Sequence, residues 1–171
     1  MTGYVVKNNC GCDGKDKKRI ILECGRSVEV ADFNVAVDQE QTFILARVFI
    51  DTSSLNTQVK IDFSTIILFE SDVDADDIDI ALTFKLNRKC GTADPSVLKT
   101  WEYRKKFMTA DLTTIIREAF NFSFCDTQEC PDGDPREYFL EVTANPANDF
   151  TGIATATVNP DGAAFISAIA Q

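Results

Sequence analysis

Six cysteines and no histidine set the chemistry open to this chain of 171 residues. Histidine is the usual general base near neutral pH and the commonest metal ligand. Its absence removes Ser-His-Asp and Cys-His catalysis and most catalytic zinc sites, and leaves no imidazole to activate a thiol. The sequence therefore predicts a protein that is not an enzyme. Structural zinc is held by Cys-x2–4-Cys pairs, whereas here one residue lies between Cys10 and Cys12, four lie between Cys125 and Cys130, and Cys24 and Cys90 are isolated. No metal and no cofactor is expected. An even number of thiols at poor metal spacing points instead to disulfides.

Cys10 and Cys12 are too close to bond each other without strain, because bridged Cα atoms prefer a separation of about 5.5 Å. The simplest assignment joins Cys125 to Cys130 across their own turn. Cys24 and Cys90 then remain to meet Cys10 and Cys12, either within one chain or in the next copy. Six cysteines allow fifteen pairings, and both destinations stay open at this point. One further motif invites a ligand. Asp72-Val73-Asp74-Ala75-Asp76-Asp77-Ile78-Asp79 begins like a calcium loop, but Asp77 stands where the loop needs glycine and Thr83 where it needs the closing glutamate. It reads better as an acidic, edge-protecting turn. Asp132-Gly133-Asp134 is a poorer version of the same motif.

The elements that must position the cysteines are strands. Val59, Ile61, Phe63, Thr65, Ile67 and Phe69 alternate with Lys60, Asp62 and Ser64. Ile78, Ile80, Leu82, Phe84 and Leu86 alternate with Asp79, Thr83 and Lys85. That period of two marks sheets with one buried face. Ile20–Cys24 stopped by Gly25, Val28 through Val37, Gln41–Ile50, Trp101–Phe107, Phe120–Phe124, Tyr138–Val142, Ile153–Val158 and Ala164–Ile169 extend the pattern. Asn159-Pro160-Asp161-Gly162 is a turn signal. Asp111–Ala119 could be a helix capped by Asp111, but its Thr and Ile content fits strand or turn equally. The nine or ten strands predict an all-β, jelly-roll-like two-sheet β-sandwich over residues 19–171. Residues 1–18, polar and glycine-containing around Cys10 and Cys12, read as a flexible N-terminal connector arm. A net charge of −10 and a pI near 4.4 argue against nucleic acid. The apolar runs are strand-length, so no membrane span is expected. Met1–Asn9 has no apolar core of the kind a secretion signal needs, although the cysteines look extracellular.

The Ile20-Ile21-Leu22-Glu23-Cys24-Gly25 segment and the Phe122-Ser123-Phe124-Cys125…Cys130-Pro131 turn resemble those of a family of small cysteine-containing proteins of anaerobic, spore-forming Firmicutes. The overall plan also resembles the endospore appendage fibre subunits of bacilli, which put a cysteine-bearing connector ahead of a jelly-roll body. The resemblance implies a structural subunit that partners with itself. Neighbours would be joined by intermolecular disulfides and sheet augmentation into an extracellular homopolymer on the spore or cell surface, without a secretion signal. Carried over, Cys10 and Cys12 are the connector thiols and Cys24 a receiver, with Cys90 the second receiver by elimination. This sequence departs from the appendage pattern in the glycine between its two connector cysteines. The alternative is a monomeric, secreted sandwich with intramolecular disulfides that binds carbohydrate or calcium.

Overall fold

Strand β5 (Val59–Ser71) shows how the sequence builds the fold. Its odd-numbered residues are buried, and its even-numbered ones, led by Lys60, Ser64 and Glu70, reach towards solvent. β6 (Ile78–Cys90) buries Ile80, Leu82, Phe84 and Leu86 in the same way. Two such one-sided strands can hide their apolar faces only against each other, and they do so in opposite layers. The computed structural model describes residues 20–33, 41–52, 58–71, 78–107, 113–144, 154–162 and 164–170. The expected arm, with Cys10 and Cys12, and residues 72–77 of the acidic run lie outside these.

The remaining strands are β1 (Ile21–Cys24), β2 (Arg26–Ser27), β3 (Ala31–Phe33), β4 (Gln41–Ile50), β7 (Ser96–Phe107), β8 (Thr114–Asp126), β9 (Arg136–Ala144), β10 (Ala154–Val158) and β11 (Phe165–Ala170). One antiparallel sheet has the order β2-β4-β9-β6-β7. The other is organised on β5, which gives one whole edge to β8 and divides the other between β11 and β10. β1 flanks β11 and β3 flanks β10. The chain is an all-β, jelly-roll-like sandwich of two antiparallel sheets. Stacked rings join the layers at the β7–β8 side: Trp101 on Phe122 at 3.9 Å, Phe84 on Phe120 at 4.1 Å and Phe69 on Tyr103 at 5.9 Å.

The structure settles two local expectations. The ambiguous stretch from Asp111 becomes strand from Thr114 onward, because Ile116 and Phe120 fall on one face and pack on the core. The single strand expected over Val28–Val37 is not formed through residues 28–30. There the chain crosses from β2 in one sheet to β3 in the other, and Val28 and Val30 are left 42% and 43% exposed. A turn through Asn159 holds this crossing. Asn159 has φ of 65°, its Nδ2 donates to Ser27 Oγ at 2.8 Å and Glu29 O at 2.9 Å, and its Oδ1 accepts from Ala164 N–H at 2.6 Å.

A second change of sheet occurs at Gly25, between β1 and β2. Its N–H donates to Ile166 O at 2.8 Å. A Cβ placed there would strike the carbonyl oxygen of Arg47 and Cγ2 of Ile166, and would lie 2.8 Å from Val48 Cβ. The oxygen belongs to a paired backbone that cannot step aside cheaply. Gly25→Ala is therefore expected to cost about 1–3 kcal/mol, the range for overpacking, read as a lower midpoint in denaturant unfolding. A midpoint unchanged from wild type would show that the crossing tolerates a side chain.

Candidate functional site

The described disulfide joins Cys90 to Cys130, with Cα atoms 5.6 Å apart. This corrects two expectations: Cys125 does not pair with Cys130, and Cys90 is not left over for another chain. Strand alternation supplies the reason. β8 runs through Cys125 to Asp126, and Asp126 turns inward to 2% exposure, so Cys125 faces outward and is exposed. The next four residues carry the chain across to the end of β6. Cys130 caps a 3-10 turn, Pro131–Gly133, and the return to β9 is pinned by Asp134 N–H to Pro131 O at 3.1 Å and Gly91 N–H to Pro135 O at 3.1 Å. Gly91 takes φ of 51°, and any side chain on it would meet Asp134. The loop therefore delivers Cys130 to Cys90.

Beside the bridge lies a buried polar cluster that sequence reading missed. Arg88 Nη1 donates to Asp126 Oδ2 at 2.9 Å and to Oδ1 at 3.1 Å, and its Nη2 donates to Gln128 Oε1 at 3.0 Å. Tyr138 Oη donates to Asp126 Oδ2 at 2.8 Å, and the Arg136 guanidinium stands 3.9 Å from the same oxygen. Burial, with the Asp126 charge behind it, pushes the Tyr138 phenol above its ordinary range, although Arg136 opposes the shift. Tyr103 is likewise raised, by burial and by its hydrogen bond to Glu118. Because the folded forms hold these protons more tightly, the stabilisation is complete below the ordinary tyrosine value of about 10 and declines as pH rises above it. Spectrophotometric titration should find these two phenols still protonated beyond pH ~10, with unfolding easier there than at neutral pH. Ordinary ionisation of both in the folded protein would refute this.

Cys24 and Cys125 are free and exposed. The register places them on the same outer face of the six-stranded sheet. Leu22, Ile169, Lys60 and Cys125 form one cross-strand row, and Cys24, Ser167, Asp62 and Ser123 form the next. Three strand spacings and one two-residue step separate the thiols, about 14 Å across the strands and about 7 Å along them. Bridged Cα atoms lie within about 7 Å, so these two thiols cannot bond each other in one folded chain. Between them Asp62 accepts hydrogen bonds from Ser123 and Lys60, and despite some burial these hold its carboxyl below the ordinary range. Asp79, the last acid of the calcium-like run, is occupied by Arg104 and Lys106, whose hydrogen bonds depress it further. Among the described residues no three Cys, Asp or Glu side chains gather into a metal-binding group.

Residues 18–170 match the family described as a domain of unknown function, DUF4489. The chain belongs to the DUF4489 family. No curated protein matches this DUF4489 chain. Solved structures that resemble it include several from infectious bursal disease virus. The Gt strain structure is 14% identical, with a TM-score of 0.44, and the match covers 99% of this chain and 37% of that one. The VP2 subviral particle is 14% identical, with a TM-score of 0.42, over 100% of this chain and 41% of the other. This chain thus spans about two-fifths of the viral chains it matches. No helix among its described residues is long and apolar enough to cross a membrane.

Proposed function

We propose that this DUF4489 chain is a structural subunit that joins copies of itself into an extracellular, disulfide-crosslinked fibre on a spore or cell surface. One observation carries the reading. With Cys90 and Cys130 joined, two exposed thiols share one sheet face, too far apart to satisfy each other. The sequence holds two more, Cys10 and Cys12, ahead of the first strand. Two thiols on a segment and two on a body suit head-to-tail linkage, a heterologous contact that gives a filament when its rotation does not close. In this assignment Cys125 takes the receiving role first given to Cys90, and Cys24 keeps its own. Sheet augmentation between neighbours completes the contact.

Electrophoresis without reductant tests the proposal. Purified protein should give a ladder or gel-excluded material that collapses on reduction, and negative-stain images should show filaments. Replacing Cys24 and Cys125 with serine should leave a folded monomer band, as should replacing Cys10 and Cys12. A monomer band from the wild-type chain after oxidation would sink the fibre reading. A calcium-dependent rise in melting temperature alongside that band would favour the binding module.

A further inference from the structure

The two long edge strands lie at the same side of the sandwich but are built differently. β7 pairs only with β6 and β8 only with β5 among the described strands, so β7, and β8 from Ile115 onward, turn a second row of backbone N–H and C=O groups towards no other described strand. Such rows are templates for further strands, and proteins commonly blunt them with charge, proline or shortness. The opposite edges are short: β1, β2 and β3 have four, two and three residues. β7 is blunted by Lys99, Arg104, Lys105 and Lys106. β8 has 13 residues, and its stretch Ala119-Phe120-Asn121-Phe122-Ser123-Phe124-Cys125 carries neither charge nor proline. Its outward residues there, Ala119, Asn121, Ser123 and Cys125, are all small or neutral and exposed. An exposed edge of that composition is the signature of a strand that pairs.

We infer that the free edge of β8 is an interaction surface for the β8 edge of a second copy, paired antiparallel about a two-fold axis. An isologous contact requires a surface compatible with its own image, and β8 meets that requirement. With the axis at Asn121, Arg117 faces Cys125 of the second copy, Glu118 faces Phe124, and Phe120 lies opposite Phe122. With the axis at Phe120, Arg117 faces Ser123 and Glu118 faces Phe122. No like charges oppose each other in either register. The alternative mate, β7, would set four cations against the two acids of β8, Glu118 and Asp126, and both are already engaged in their own chain, Glu118 by Lys105 and Tyr103 and Asp126 by Arg88 and Tyr138. Pairing β8 with β8 would also bring the half-buried Phe120, Phe122 and Phe124 of both copies into one apolar seam, with Glu118 at its ends.

The inference takes the joining of copies from the fibre reading but needs none of its disulfides, so the test is made on the full chain in reductant. Sedimentation velocity should show a reversible dimer. Asn121→Lys combined with Ser123→Lys, at exposed positions, should weaken dimerisation roughly a hundredfold or more by opposing like charges. Thr100→Lys on β7 should leave it intact. Backbone amide exchange of the wild-type chain gives a second reading that needs no variant: β8 amides should slow as concentration rises. A reduced wild-type chain that stays monomeric, a dimer that survives the paired lysines in a folded variant, or β8 exchange independent of concentration would each overturn the inference. A dimer in reductant with no ladder after oxidation would instead remove the fibre reading and leave this one standing.

Discussion

Replacing Cys90 and Cys130 together with serine is expected to lower the stability of the body by about 4 kcal/mol, the chain-entropy value for a bridge of this loop length. The two residues are 40 apart in sequence, and between them run β7 and β8, the two long edges. In the unfolded chain the bridge restrains all of that segment at once. In the folded chain it ties the end of β6, in one sheet, to the loop leaving β8, in the other. Denaturant unfolding with and without reductant measures the effect. The wild-type midpoint should fall on reduction to that of the double serine variant, and the variant should not respond to reductant. Equal midpoints for oxidised wild type and variant would show that the bridge adds nothing. The corresponding change at Cys24 and Cys125 should leave the midpoint almost unmoved, because both thiols are exposed and unbridged.

Asp126→Asn is expected to cost about 3–5 kcal/mol, the range for removing one partner from a buried ion pair. The asparagine has the same shape but no charge. Arg88, with its side chain 9% exposed, would lose the carboxylate that takes two of its hydrogen bonds, and Arg136, 2% exposed, would lose the carboxylate 3.9 Å from it. Arg88→Met separates the two sides of the pair, since it strands the carboxylate beside Arg136 and Tyr138 rather than stranding cations. Replacing Arg88 and Asp126 together should cost less than the sum of the single changes, and that difference measures their coupling. Additive losses would mean that the two side chains are stabilised separately.

The sheets were legible because their signal is local. The alternation in β5 and β6 names the buried faces residue by residue, and the structure buries Val59, Ile61, Phe63, Thr65, Ile67 and Phe69 on the one and Ile80, Leu82, Phe84 and Leu86 on the other. The failures came where position depends on topology. Val28 and Val30 continue an alternating pattern, but the chain there is passing between layers, so the alternation has no sheet to serve. Arg88, Asp126 and Arg136 are scattered charges until β6, β8 and β9 converge, and nothing in the sequence marks them as neighbours. The disulfide is a different case. The alternation of Phe120, Phe122 and Phe124 makes one inward face, which turns Cys125 outward and Asp126 inward. Closeness in sequence favours Cys125 with Cys130, and the alternation is the better guide.

The pairing of β1 with β11 also bears on how the molecule is made. Ile21 lies opposite Ala170 and Cys24 opposite Ser167, so the earliest described strand finds its partner only in the last. Contacts closed over such separations form late, and sheets dominated by them fold slowly. While a ribosome is still extending the chain, β1 has no edge to join and Cys24 has no place on a sheet. Its thiol reaches its position on the outer face only once β11 has been synthesised. A nascent chain is thereby kept from offering Cys24 in its folded setting, so the linkage between copies proposed above would be deferred until β11 has been made.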